Sequence, residues 1–309
     1  MAAVFNQIAI IGVGLIGGSI ARGALEKGIA GEVVLFDGNA DALKRAGEIG
    51  FGRPAASLKD AVANADAVFV CVPVGAMGAV AGACIVSMKA GAILTDVGSV
   101  KGNVAREFRA LGRSDVHVIP GHPIAGTEKS GPDAGFASLF ENRWCILTPE
   151  VNASADYVTA TNKLAAFWTG LGSKVERMDA QRHDLVLAVT SHIPHLIAYN
   201  MVATAYDMEA VTEGEVVKFS AAGFRDFTRI AASDPTMWRD VFLNNKEAVL
   251  EVLGRFEEDL TALRKAIRNA DGQKLFDTFT ESRRIRREII DAGQDTASAN
   301  FGRDTTKKT

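Results

Sequence analysis

The chain has 309 residues, 48% hydrophobic and 23% charged, and its 34 basic against 37 acidic side chains leave a formal charge of −3. The length suits two domains without disulfide or metal staples, and the charge balance removes any electrostatic case for nucleic acid or an anionic membrane as partner. Cys71, Cys84 and Cys145 lie in apolar runs without CxxC spacing, MAAVFNQIAIIG lacks a signal-peptide pattern, and no apolar run approaches the ~18 residues of a membrane span; a cytoplasmic protein with buried free thiols is expected.

Predicted strands and helices alternate through the first half. Gln7–Val13, Glu32–Phe36, Ala67–Val72, Ala92–Val97, Val116–Pro120, Trp144–Leu147 and Lys174–Arg177 read as strands. Several are apolar throughout, as parallel strands covered on both faces are. Leu15–Lys27, Ala40–Ile49, Ser57–Ala63, Gly75–Lys89 and Asn152–Leu171 read as helices between them. This alternation predicts an α/β doubly wound parallel sheet over residues 1–178. No strand pattern of comparable strength follows, so residues 179–309 are expected to be all-α. The clearest helix there carries Val249, Leu253, Phe256, Leu260, Leu263 and Ile267 at +4, +3 steps, a seam for another helix in a bundle core or at a subunit interface. Arg283, Arg284, Arg286 and Arg287, with Glu281, Glu288 and Asp291 nearby, read as a solvated face, and the tail from Gln294 as a polar, frayed end.

The run Ile8-Ala-Ile-Ile-Gly12-Val-Gly14-Leu15-Ile16-Gly17 is G-x-G-x-x-G placed after a strand and opening a helix, the fingerprint of a Rossmann-type dinucleotide site. Gly12 permits the turn, Gly14 lets a pyrophosphate approach, Gly17 lets helix and strand pack closely, and Leu15 and Ile16 complete the loop. The helix N-terminus offers free N–H groups to phosphates. Asp37 ends the second strand 20 residues after Gly17. A carboxylate there accepts from ribose hydroxyls and repels a 2′-phosphate, which favours NAD; the small Gly38-Asn39 leaves NADP possible. Val72-Pro73, Asp96-Val97-Gly98-Ser99 and Gly121-His122-Pro123 end further strands, so Val72, Pro73, Gly98 and Ser99 are expected around the nicotinamide.

Of five histidines, His117 lies within a strand and reads as structural, and His183, beside Asp184 near a helix start, as exposed or capping. His122 sits at a strand end facing the expected nicotinamide, where a neutral imidazole could accept a hydroxyl proton; position alone leaves this and a structural role open. His192 and His195 stand at i, i+3 with Pro194 kinking their helix. No third metal ligand lies nearby, so they read as polar groups at a cleft rather than a metal pair. Arg225 and Arg229 stand at i, i+4 around Asp226, suited to carboxylate recognition or to a local ion pair with Asp226 or Glu128. Trp238, read alone, is more often core than ligand stack.

GVGLIGGS, VPV, DVGSVK, GHPIAGTEKSG, SHIPH and GFRDFTRIAASDPTMWRD, in order between residue 10 and about 240, resemble the prephenate/arogenate (cyclohexadienyl) dehydrogenases of tyrosine biosynthesis. The resemblance implies a Rossmann domain followed by a helical domain through which subunits dimerise. It implies NAD(P)-dependent oxidative decarboxylation of prephenate or arogenate, with tyrosine as a feasible feedback inhibitor. His122 would accept the hydrogen bond of the C4 hydroxyl with Ser99 assisting, and Arg229 would bind a substrate carboxylate. His192, His195 and Trp238 would line the substrate side, and Glu128, Asp226 and Arg225 would form an ionic gate around Arg229. The family often has Lys where this chain has Arg225. A rival reading as a β-hydroxyacid dehydrogenase or imine reductase leaves GHPIAGTEKSG without a role, and the full set of polar cleft residues argues against a non-catalytic dinucleotide-sensing module.

Overall fold

The computed structural model describes residues 3–127, 129–151, 153–209 and 218–291. Strands β1 (Phe5–Ile11), β2 (Ala30–Phe36), β3 (Arg53–Pro54), β4 (Ala67–Val70), β5 (Ile93–Asp96) and β6 (His117–Val118) form one parallel sheet in the order β3-β2-β1-β4-β5-β6. Helices α1 (Leu15–Glu26), α2 (Ala40–Ile49), α3 (Leu58–Val62), α4 (Met77–Ile85) and α5 (Gly102–Arg109) connect them. The order reverses between β1 and β4, and doubly wound sheets bind ligands beyond the carboxyl ends at that point. Along β1, Ile8 and Ile10 join one buried cluster with Phe69, Phe167 and Trp168, whereas Ala9 and Ile11 join another with Val70, Met77 and Trp238. Both faces are covered, which is why the strand reads apolar throughout.

Two expectations are corrected. Trp144–Leu147 (β8) and Lys174–Arg177 (β9) have the expected bounds but leave the parallel sheet. With β7 (Gly121–Pro123) they form a separate three-stranded sheet, antiparallel between β7 and β8 and parallel between β8 and β9. Helix α6 (Ala155–Gly170) joins β8 to β9. Gly121-His122-Pro123 therefore belongs to a strand, with His122 opposite Ile146, and only its flanking Gly and Pro made it read as a loop.

The helical part begins with α7 (Ala180–Leu187), widens into a π turn (Ala188–His192) and continues as α8 (Ile193–Glu209). Pro194 explains the widening. It has no N–H for the Thr190 carbonyl and its ring crowds that turn, so the Ile193 N–H reaches back five residues to Ala188 O. Ala180–Met208 forms one run of 29 residues containing an 18-residue window of mean hydropathy 1.3, long and apolar enough by length and composition to cross a membrane. This differs from the sequence expectation because His183, Asp184, His192 and His195 interrupt the apolar run without breaking the helix. Beyond it lie α9 (Ala222–Thr228), a 3-10 turn (Arg229–Ala232), α10 (Pro235–Asn244), α11 (Lys246–Arg268) and α12 (Gly272–Asp291).

The chain divides into compact units at Met1–Val252 and Leu253–Thr309. The first runs well past residue 178 because the helices after Asp179 are tied to the loops of the sheet. The main-chain N–H groups of Lys101 and Gly102 each donate to the Asp184 carboxylate at 2.7 Å, and Asn103 Nδ2 donates to Asn244 Oδ1 at 2.6 Å. On the predicted seam Val249 is buried, whereas Leu260 and Ile267 are exposed in the single chain. In the second unit Arg284 pairs with Glu281 at 2.5 Å and with Glu288, all exposed, as a solvated face requires. The tail after Asp291 lies outside the described residues. Cys84 and Cys145 are buried free thiols, and burial pushes Cys84 up to about 12; Cys71 is half-buried and free.

Candidate active site

The glycine loop fits a dinucleotide. Gly12 has φ +103°, and a Cβ there would stand 2.5 Å from the Cys71 carbonyl oxygen; a Cβ at Gly17 would meet the Gly12 oxygen at 2.0 Å. Over Gly14 nothing lies within 4 Å of such a carbon, and no side chain caps α1. The first N–H groups of α1, around Leu15, Ile16 and Gly17, thus face open space at the β1/β4 reversal, a cradle for phosphate oxygens. Asp37 also holds the loop in place. Its Oδ2 accepts from the Val13 N–H and its Oδ1 from the Asn39 N–H, both at 2.8 Å, which ties the loop to the end of β2. A second lone pair on each oxygen is still available. Val72 and Pro73 follow β4, half-buried and exposed respectively.

At the end of β5 the sheet carries a buried charge network. The Asp96 carboxylate accepts from the Lys101 ammonium, from the Gly98 N–H at 2.8 Å and from the Gly121 N–H at 3.2 Å, and both Asp96 and Lys101 are fully buried. Lys101 Nζ also donates to the Gly121 carbonyl at 2.9 Å. DVGSVK is thus a loop closed on itself by its first and last residues, and it fixes the strand end from which His122 projects. The motif was visible in sequence; the ion pair within it was not.

His122 is 8% exposed, and its Nδ1 lies 2.9 Å from His183 Nε2. His183 is fully buried, with Nδ1 2.8 Å from Asp184 Oδ1. The expectation of an exposed or capping His183 is therefore corrected. Asp179 caps α7 by accepting from the Arg182 N–H at 2.8 Å, which frees His183 to turn inward. Burial pushes the pKa of His122 well below 6.5, and the cost of a second positive charge beside His183, Lys101 and His192 adds to the shift. Burial lowers His183 as well, against the opposing pull of Asp184. Both rings are held neutral.

On the adjoining side, His192 is fully buried, its Nδ1 3.0 Å from Asn245 Nδ2 and its Nε2 without a hydrogen-bond partner. Burial brings its pKa down to about 4, with the Ser99 backbone pulling weakly the other way. His195 stacks on Trp238, ring centroids 3.7 Å apart at 24°, and its Nδ1 lies 2.8 Å from the Ser191 carbonyl. Burial lowers the His195 pKa, and the Arg229 charge lowers it further. Trp238 is 7% exposed and belongs to the core as well as to this stack. Among the described residues no group of three or more His, Cys, Asp or Glu is set to hold a metal.

The arginines are placed differently. Arg225, Asp226 and Arg229 are exposed, and no ion pair joins them among the described residues; water competes for such contacts on a short surface helix. Glu128 lies outside the described residues. The structure thus brings together His122, Ser99, His192, His195 and Trp238, with Arg229 close to His195. It adds Asp96, Lys101, His183, Asp184 and Asn245, of which only Asp96 and Lys101 belong to a motif legible in the sequence, DVGSVK.

Residues 20–177 match the family model for the prephenate dehydrogenase nucleotide-binding domain, and residues 179–281 that for the prephenate dehydrogenase dimerization domain. A cyclohexadienyl dehydrogenase from Zymomonas mobilis is 41% identical over 284 residues, 92% of this chain and 96% of that protein. A prephenate dehydrogenase from Lactococcus lactis is 33% identical over 287 residues, 92% and 77% of the two chains. Among solved structures, a prephenate dehydrogenase from Aquifex aeolicus in complex with hydroxyphenyl propionate and NAD+ superposes with a TM-score of 0.85 at 33% identity, covering 92% of this chain and 98% of that one. With its dinucleotide loop, its buried histidine chain and both domain models matched, the chain belongs to the prephenate dehydrogenase family.

Proposed function

We propose that the protein oxidises a cyclohexadienol carboxylate, prephenate or arogenate, with loss of CO2, giving 4-hydroxyphenylpyruvate or tyrosine. The observation that carries this reading is the dry His122–His183–Asp184 chain at a strand end of the sheet. An ionised carboxylate only accepts, so His183 donates from Nδ1 to Asp184 and offers a lone pair at Nε2. His122 must then donate from Nδ1, which leaves its Nε2 as the accepting nitrogen. A neutral base so oriented takes the C4 hydroxyl proton as hydride leaves the carbinol carbon. The bound nicotinamide would supply the hydride acceptor. As the C1–carboxylate bond breaks, its electron pair enters the ring, and His122 returns the proton to the same oxygen, now phenolic. No net proton is consumed, and aromatisation drives the step.

Ser99 assists at that oxygen, and Arg229 binds the side-chain carboxylate. His192, His195 and Trp238 line the substrate, and Arg225, Asp226 and Glu128 tune Arg229. Gly12, Gly14, Leu15, Ile16, Gly17, Val72, Pro73, Gly98 and Ser99 hold the dinucleotide. Asp37, on the ribose hydroxyls, gives NAD the preference. We place the cofactor domain at 1–178 and the substrate and dimerisation domain at 179–309, in a cytoplasmic homodimer inhibited by its product-like ligand tyrosine. The test is NADH and NADPH formation with prephenate and arogenate side by side. NAD reduction with at least one substrate is expected; no reduction with either overturns the reading. Asp37→Ala should narrow the gap between NAD and NADP, and an equal loss for both removes Asp37 from that role.

A further inference from the structure

Asn245 stands at the junction of α10 and α11 and is 5% exposed. Both helices hold its main chain: its N–H donates to the Val241 carbonyl at 2.9 Å and its carbonyl accepts from the Val249 N–H at 3.0 Å. Its side-chain nitrogen lies 2.9 Å from the Asp184 carbonyl oxygen and 3.0 Å from His192 Nδ1. A carbonyl only accepts, so the amide NH2 and not its oxygen must face Asp184. The second hydrogen of that NH2 points at His192 Nδ1, which must accept it. A neutral ring with an accepting Nδ1 carries its proton on Nε2. That Nε2 is buried and makes no hydrogen bond within 3.5 Å, the weak pull of the Ser99 backbone aside, and Trp238, its ring centroid 6.1 Å away, leaves Nε1–H likewise unbonded. Two buried donors left without a full hydrogen bond suit an acceptor that arrives with a ligand.

We propose that Asn245 is a positioning residue that fixes His192 as an Nε2–H donor to a carboxylate or keto oxygen of the bound substrate. The substrate part rests on the reaction proposed above; the tautomer does not. Asp184 is then the root of two opposite polarities. Its carboxylate, through His183, makes His122 an acceptor, and its carbonyl, through Asn245, makes His192 a donor. A single buried residue lets the site offer one imidazole to a hydroxyl and another to an oxygen lone pair.

Nitrogen NMR on protein labelled with 15N-histidine reads the tautomer without turnover. Wild-type His192 should show a protonated Nε2 and a bare Nδ1; a protonated Nδ1 overturns the proposal. Asn245→Asp replaces the NH2 by an acceptor of equal size, so the His192 proton should move to Nδ1. The substrate KM should then rise about tenfold to a hundredfold while the acidic limb of kcat, set by His122, stays in place. A switched tautomer with unchanged KM removes His192 from substrate binding and overturns the proposal. If that variant does not fold, the wild-type spectrum still decides. Wild-type protein that turns over neither prephenate nor arogenate overturns the reaction and leaves the tautomer result standing.

Discussion

The base side and the anion side of the candidate site are built to opposite rules. Asp96, Lys101, His122, His183 and Asp184 are all buried and bonded to one another or to nearby main chain across three elements. Arg225, Asp226 and Arg229 are exposed on a seven-residue helix and the turn after it. The difference follows from what each side would do in the proposed reaction. Proton transfer needs a fixed tautomer and a displaced pKa, and only burial supplies both. A carboxylate clamp must stay open to water to admit a charged ligand, and its charge gains strength only when that ligand excludes the water.

The comparison breaks most sharply at His122. His122→Asn should lower kcat about 10²–10⁴-fold while cofactor binding persists. In the wild type kcat/KM should stay level as pH falls through 6.5 and decline only lower, because burial, with the neighbouring His183 and His192 rings and the Lys101 charge adding to it, holds His122 well below 6.5. An acidic limb centred at or above 6.5 would place the titrating group elsewhere. Next comes stability. Lys101→Met leaves the Asp96 carboxylate buried without its ammonium and should cost about 3–5 kcal/mol in urea unfolding, part of it recovered when Asp96→Asn is added. An undiminished midpoint in the single variant would show that water reaches the pair.

The buried rings make a third test. His122, His183 and His192 all have lowered pKa values when folded, so the unfolded chain takes up protons from about pH 6.5 downward while the folded chain does not. Stability should therefore fall below that pH, by up to about 1.4 kcal/mol per pH unit and ring, until the folded rings themselves titrate. A flat profile from pH 7 to about 5.5 contradicts the dry site. The smallest effect belongs to the exposed side: Arg229→Ala should raise the substrate KM about tenfold to a hundredfold and change stability by less than about 0.5 kcal/mol. Comparable losses in KM and stability would mean that Arg229 holds the fold rather than a ligand.

What the sequence discloses is local. Helix α2 is readable to the residue because Asn39 caps it through the Asp41 and Ala42 N–H groups and Gly50, at φ +86°, ends it. The glycine loop is readable for the same reason, since each requirement acts within a few residues. His183 misleads because the Asp beside it suggests a helix start, whereas its decisive partner His122 lies 61 residues away. β7 misleads because three residues that begin with Gly and end with Pro carry no period, and only β8 makes them a strand. Asn245 has no motif at all; two helices and a carbonyl from a third element give it meaning.

The π turn before Pro194 has a consequence for how such chains can change. His183 and His192 are nine residues apart, which in an unbroken α-helix would set them about 180° apart. The widened turn over Ala188–His192 shortens that rotation, and both rings finish beside Asp184, one at its carboxylate and the other through Asn245 at its carbonyl. The number of residues in this turn thus matters as much as their identities. Because the π turn holds one residue more than an α turn, an in-frame loss of one codon between Ala188 and Ser191 would close it with α8 nearly in phase. The gain of one, with every histidine kept in the gene, would instead rotate His192, His195 and all of α8 by about 100° against α7. Position-by-position comparison of residue types would score that chain as intact, although its two imidazole polarities would no longer meet over one substrate.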